Sequence, residues 1–180
     1  GRMLSFDEAR RRLLAAVPVL PPERVPLALA AGRVLAEDLV ASGPLPPFDA
    51  SAMDGYAVNT GSMGGDGPWE LPLLGESRAG SPAAGLAAGS TMRIVTGAPM
   101  PHGADAVVMQ EKVGVEGTRV RFTERPRQGA NVRRAGEDLA AGSPALPAGV
   151  RLGGVQLALA AAVDRGELLV SRRPMVAIRS

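Results

Sequence analysis

Fifteen consecutive positions, Pro44 to Val58 (Pro-Leu-Pro-Pro-Phe-Asp-Ala-Ser-Ala-Met-Asp-Gly-Tyr-Ala-Val), constrain this chain more than any other stretch. Pro44, Pro46 and Pro47 hold the backbone in an extended path and withhold their amide donors, which excludes the segment from a helix or a central strand. A shaped loop is what remains. Asp49, Ser51 and Asp54 then place carboxylate and hydroxyl oxygens close together. Gly55 frees the backbone to turn or to approach a ligand before Tyr56-Ala57-Val58 resumes as a strand. Hard-cation or oxyanion chemistry is presented in this way at a strand edge. The ordinary alternative is that both aspartates make side-chain turns with neighbouring amides.

Composition narrows the chemistry. The 180 residues, 46% of them apolar, suffice for one ordinary domain or two small ones. With no cysteine and a single histidine, His102 in a Pro-His-Gly loop, disulfides, thiolate metal sites and cysteine nucleophiles are excluded, and any metal would be held by oxygen. Twenty basic against 18 acidic residues is too even a balance for a nucleic-acid coat. Lys112 is the only lysine, so nearly every cation is a guanidinium fork suited to oxyanions and equally to surface ion pairs. No apolar run reaches the roughly 18 residues of a membrane span and no secretory signal opens the chain, so a cytoplasmic protein is expected.

In chain order, Ser5-Phe6-Asp7-Glu8 is a capping box, predicting a helix from Phe6 with Phe6, Ala9, Leu13, Ala16 and Val17 on one apolar face and Pro18 ending it. A helical turn over 28–31 stopped by Gly32 and a strand from Val34 to Ala41 follow. Strands are predicted at 56–58, 69–77, 91–96 and 105–110, and as a hairpin over 113–115 and 119–122, with a surface loop at 78–89. So many short strands with glycine turns favour a barrel-like or sandwich-like β module. Beyond it come a strand near 150–152, a helix over 155–163, a strand at 167–170 and another from Met175 to Ile178. The fold expected is α+β and predominantly β. A mixed, discontinuous domain formed by residues 3–49 and 139–170 would carry an inserted β module, 50–138.

Asp49-Ala50-Ser51-Ala52-Met53-Asp54-Gly55-Tyr56-Ala57 closely resembles the signature of the molybdopterin molybdenumtransferases, the family of MoeA and of the E domain of gephyrin. Arg93-Ile94-Val95-Thr96-Gly97-Ala98-Pro99-Met100-Pro101 and Gly129-Ala130-Asn131-Val132-Arg133-Arg134-Ala135-Gly136-Glu137-Asp138 resemble its next signatures in the same order. The resemblance covers essentially the whole chain but only the N-terminal portion of such an enzyme. Residues 171–180 resemble the start of the α/β pterin-binding domain that follows, and Arg179-Ser180 stand where family members continue through an apolar residue into Ser-Thr-Gly-Asp-Glu.

The resemblance implies insertion of molybdate into adenylylated molybdopterin, with Mg2+ as cofactor. It also implies a homodimer in which substrate lies between this β module and the α/β domain of a partner subunit. That chemistry must neutralise a tetrahedral dianion and a phosphorylated cofactor and protonate departing oxygens, which carboxylates, hydroxyls and arginines do without histidine or cysteine. By match to the motifs, Asp54, Thr96 and Asp138 are expected to be catalytic and to line one cleft, Asp54 acting on a Mg2+-bound water or on a proton. Ser51, Arg133 and Glu137 are expected to contact substrate oxyanions. Against these stand bland readings: Thr96 as a β-former beside a turn, and Arg133, Glu137 and Asp138 as a surface ion-pair network of little energetic value. A non-catalytic scaffold of the gephyrin type is the alternative function.

Overall fold

The computed structural model describes residues 3–178. In chain order the regular elements are helix α1 (Phe6–Ala16), strands β1 (Pro22–Pro26), β2 (Leu39–Val40), β3 (Ala50–Ser51), β4 (Gly55–Val58), β5 (Trp69–Ser77), β6 (Thr91–Ile94), β7 (Ala106–Met109), β8 (Val113–Glu116), β9 (Arg119–Phe122), β10 (Val132–Arg133) and β11 (Pro144–Leu146), helix α2 (Gly154–Ala162) and strand β12 (Glu167–Ser171). Strands dominate, as the α+β reading requires. The chain forms two compact units: one takes residues up to Ser42 and from Ser143 onward, the other Gly43–Gly142. Residues 43–49 fall in the central unit because Leu45 exchanges backbone hydrogen bonds with Leu139, at 2.8 and 3.1 Å.

In the two-ended unit, the Ser5 hydroxyl accepts from the Glu8 amide at 3.3 Å and starts α1, as its capping role requires. The other half of the box is absent: Glu8 spends its carboxylate on Arg11 and Arg12. No residue of α1 is buried among the described residues; Phe6 is 81% and Leu13 69% exposed, so the apolar face exists but is uncovered. The core of the unit is Leu35, Leu39, Leu146, Leu152, Ala160, Leu168 and Val170. β1 pairs antiparallel with β12 from Pro22 opposite Ser171 to Pro26 opposite Glu167, its prolines confined to the ends of a strand with one free edge.

Three expectations fail in this unit. The strand over 34–41 reduces to single bridges at Val34 and Leu35 and to β2, because Glu37 and Asp38 accept from the amides of Leu169 (3.0 Å) and Ala148 (2.7 Å) and divert the backbone. Near Val150 only Arg151 bridges, to Val34. Met175 to Ile178 pair with no strand among the described residues and are exposed, for a lone β segment has no ladder to stabilise it. Residues 179 and 180, on which the departure from the family pattern rests, lie outside the described residues.

In the central unit, six strands in the order β7-β4-β6-β5-β9-β8 curl into a half-barrel. All neighbours are antiparallel except β5 and β6. Apolar side chains cover both faces, which is why β4 reads as a continuous buried run instead of alternating. On one face Tyr56, Val58, Met63, Leu71, Ala106, Val108, Val120 and Phe122 pack; on the other Ala57, Ile94, Ala98, Met100 and Val107. β4 begins at Gly55 for a steric reason: a Cβ there would lie 2.1 Å from the Val108 carbonyl oxygen. The glycine meets the adjacent strand, not a ligand.

Candidate active site

Two residues of β3 are the hub on which three distant stretches meet. On one side Ser51 pairs with Val132 and Ala50 with Arg133 of β10. On the other, the Ser51 amide donates to the Ala98 carbonyl at 3.0 Å and the Gly97 amide donates to the Ser51 carbonyl at 2.9 Å. The segments 49–58, 93–101 and 129–138 are thereby held edge to edge. Asp49 fixes the third of them: it accepts from the Ala135 amide at 2.9 Å and from Arg134 Nη1 at 2.6 Å, 85 residues away in sequence. Gly136, at φ +76°, makes the turn that brings its amide onto the Pro46 carbonyl at 3.0 Å and the Asp138 amide onto the Leu45 carbonyl at 2.9 Å.

The chain after β3 turns through Ala52 and Met53 to present Asp54 at the start of β4, and the chain after β6 presents Thr96. These two meet. Asp54 Oδ1 accepts the Thr96 amide at 2.7 Å and the Thr96 hydroxyl at 2.8 Å. Asp54 therefore bonds a partner 42 residues distant, which is not a local side-chain turn. The two Thr96 donors, amide first and hydroxyl second, hold its carboxyl below the usual aspartate range against slight burial, with the positive charge of Arg93 adding to the effect. Asp54 Oδ2 has no hydrogen bond among the described residues.

Arg133 forms an exposed ion pair with Asp138, which raises the guanidinium pKa. Both are surface groups already satisfied by one another, and Arg133 sits beside β3 through its strand pairing with Ala50. Glu137 Oε2 accepts the Arg134 amide at 2.9 Å, a turn contact. Ser51 departs from expectation. Its side chain is buried, and its hydroxyl donates to the Met53 carbonyl at 2.6 Å and accepts the Met53 amide at 3.3 Å, so it shapes the turn before Asp54 and offers nothing to an oxyanion. Asp49, expected as an oxygen for cation or oxyanion chemistry or as a local turn former, instead clamps the distant Arg134 loop, and Arg134 carried no expected role. The signal for Asp49 was its place immediately before β3, but its partners are long-range and leave no local trace. Its carboxyl is held low chiefly by the Ala135 amide, with Arg134 assisting.

Residues 4–163 match the MoeA N-terminal region, domains I and II. The chain belongs to the MoeA family. It is 38% identical over 182 residues to the molybdopterin molybdenumtransferase of Haemophilus influenzae, covering 99% of this chain and 44% of that protein. With the molybdopterin molybdenumtransferase of Synechococcus elongatus it shares 42% over 175 residues, covering 93% and 43% respectively. The crystal structure of the molybdopterin biosynthesis MoeA protein of Pyrococcus horikoshii OT3 superposes with a TM-score of 0.84 at 34% identity, over 94% of this chain and 46% of that one. This MoeA-family chain thus spans less than half the length of the relatives it matches.

For such a chain the arrangement has definite chemical limits. Asp54 is ionised throughout the neutral range, so it can accept a proton, hold a cation or orient a hydroxyl, but it is no reservoir of protons. No group of three or more His, Cys, Asp or Glu side chains that could cage a metal exists among the described residues. One free carboxylate oxygen does fit the way Mg2+ is held, by one or two carboxylates with waters and substrate phosphates completing its shell. No helix among the described residues is long and apolar enough to cross a membrane.

Proposed function

We propose that this chain supplies the N-terminal part of the active site of a molybdopterin molybdenumtransferase, which inserts molybdate into adenylylated molybdopterin in molybdenum cofactor biosynthesis. The observation that carries the reading is the convergence of three motifs on β3, with Asp54 and Thr96 joined and exposed where they meet, in a chain of the MoeA family. Asp54 is the catalytic carboxylate in this reading, and Thr96 is its positioning partner, locking one carboxylate oxygen and leaving the other free. Asp54 Oδ2 would hold Mg2+ through a water, and the ion would supply charge neutralisation for the anionic substrates. Arg133 and Asp138 form the second edge of the site: a tetrahedral oxyanion replaces Asp138 as the partner of Arg133, which frees the Asp138 carboxylate to receive a proton. Glu137 holds the loop that carries them.

A cytoplasmic homodimer belongs to the same reading, and the uncovered Phe6, Leu13 and Leu14 of α1 support self-association. Sedimentation of the full-length protein tests that part, a monomer at micromolar concentration refuting it. The catalytic reading is tested by following molybdate-dependent cofactor formation with purified full-length protein. Turnover by the wild type that collapses in the Asp54→Asn variant supports it, and a wild type that inserts no molybdenum refutes it.

A further inference from the structure

Arg93 is the guanidinium whose charge reaches Asp54, and its own contacts are sparse. It occupies the third position of β6, directly opposite Tyr56 of β4 and Glu76 of β5, so the three side chains form one row across three strands on the same sheet face. The next residue, Ile94, pairs with Gly55, so Arg93 lies two register steps from Asp54, diagonally across the β4–β6 pair, and three residues before Thr96. Its Nε lies 3.4 Å from Glu76 Oε1, beyond ordinary hydrogen-bonding distance. The other Glu76 oxygen is taken by Arg78, whose Nε and Nη2 stand 2.8 and 2.7 Å from it.

The other arginines of the region are already paired and take an anion only by releasing a carboxylate. Arg133 is neutralised by Asp138 and Arg134 by Asp49, each through a terminal nitrogen. Arg93 keeps both terminal nitrogens without a hydrogen bond among the described residues, and its side chain is 42% exposed. A guanidinium tethered weakly at Nε with its two-pronged end free is the geometry that grips a tetrahedral oxyanion bidentately. Such a cation also offsets the repulsion that an anionic substrate brought to Asp54 meets from a carboxylate of like charge.

We propose that Arg93, steadied by Glu76, is an oxyanion-binding residue of the Asp54–Thr96 site and takes either the phosphate of the substrate or the molybdate itself. The assignment rests on the molybdenum-insertion reading for its place in the reaction but not for the anion binding, which is measured separately.

The test is calorimetric titration of full-length protein, at low ionic strength, with inorganic phosphate and in a second series with molybdate. Arg93→Ala should weaken binding of at least one anion by roughly ten- to a hundredfold, the range for a lost hydrogen-bonded charge contact. Arg93→Lys, keeping the charge without the fork, should fall between, and Arg119→Ala, which removes an exposed arginine of β9, should bind as the wild type does. Loss confined to phosphate assigns the residue to the phosphorylated substrate, and loss confined to molybdate assigns it to the metal oxyanion. A wild type that binds neither anion, or an Arg93→Ala protein of normal melting temperature that binds both unchanged, overturns the proposal. Arg93-dependent anion binding in a protein that inserts no molybdenum would leave the anion site standing and remove the proposed reaction; normal insertion with anion binding untouched in Arg93→Ala would do the reverse.

Discussion

Gly55→Ala is the change for which the structure gives the sharpest expectation. The added Cβ would lie 2.1 Å from the Val108 carbonyl oxygen, 2.9 Å from its carbon and 3.1 Å from the Met109 Cα, all of them backbone atoms that no rotamer change can clear. An ordinary contact would need β7 and β4 to separate by about 1 Å or more, enough to break the hydrogen bonds between them. β4 cannot yield the other way, because β6 pairs with it along its whole length. Overpacking of this kind costs about 1–3 kcal/mol, and forcing main chain against main chain lies at the upper end, about 3 kcal/mol. With a urea slope of about 1–3 kcal/mol/M, the unfolding midpoint should fall by about 1–3 M. Gly43→Ala is the control: its Cβ would meet nothing within 4 Å and its φ is not positive, so stability should change by about 0.5 kcal/mol or less. Urea unfolding of the two variants followed by Trp69 fluorescence decides the matter, and a Gly55→Ala protein as stable as Gly43→Ala would refute the steric argument.

Asp54→Asn keeps the shape and loses the charge, so the melting temperature of the full-length protein should stay within about 3 °C while molybdate insertion falls by about two orders of magnitude; an active Asn variant would remove Asp54 from the chemistry. Thr96→Val deletes one of the two donors to Asp54 Oδ1 and keeps the amide, so the Asp54 carboxyl pKa, read by NMR titration, should rise toward 3.8, and an unchanged value would show that the hydroxyl contact does not form in solution. Asp49 and Asp54 both have folded pKa values depressed below 3.8, so the stability they contribute is fully present above that pH and is lost as the pH falls through the lower folded values. Melting temperature should therefore be insensitive to these two groups from pH 5 to 8 and fall less steeply below 3.8 in the Asp49→Asn, Asp54→Asn double variant; parallel acid limbs would refute this. Residues 1–180 alone should fold yet show no molybdenum insertion, and turnover comparable with the full-length protein would contradict the reading that they carry only part of the site.

What was legible in the sequence is what local chemistry decides. Ser5 capping α1, the boundaries of β5, the β8–β9 hairpin around Gly117 and the limits of α2 each follow from neighbours a few residues away. The failures share the opposite cause. Glu37 and Asp38 break an otherwise plausible strand only because Leu169 and Ala148 bring amides to them, over 132 and 110 residues. β1, bracketed by prolines, is a strand only because β12 lies beside it. The same distinction runs through the candidate site. Asp54 and Thr96 were picked out by their motifs, but that they bond to each other, that Ser51 turns inward and that Asp49 clamps the Arg134 loop are decided by pairings on β3 that sequence spacing does not encode. Gly55 and Asp54, adjacent in one motif, consequently answer to different constraints. The glycine is required by the Val108 backbone and belongs to the fold, whereas the aspartate is exposed, has a free oxygen, and is held by a partner whose loss moves its pKa before it moves stability. Substitution at position 55 should therefore confound stability with activity, and substitution at position 54 should separate them.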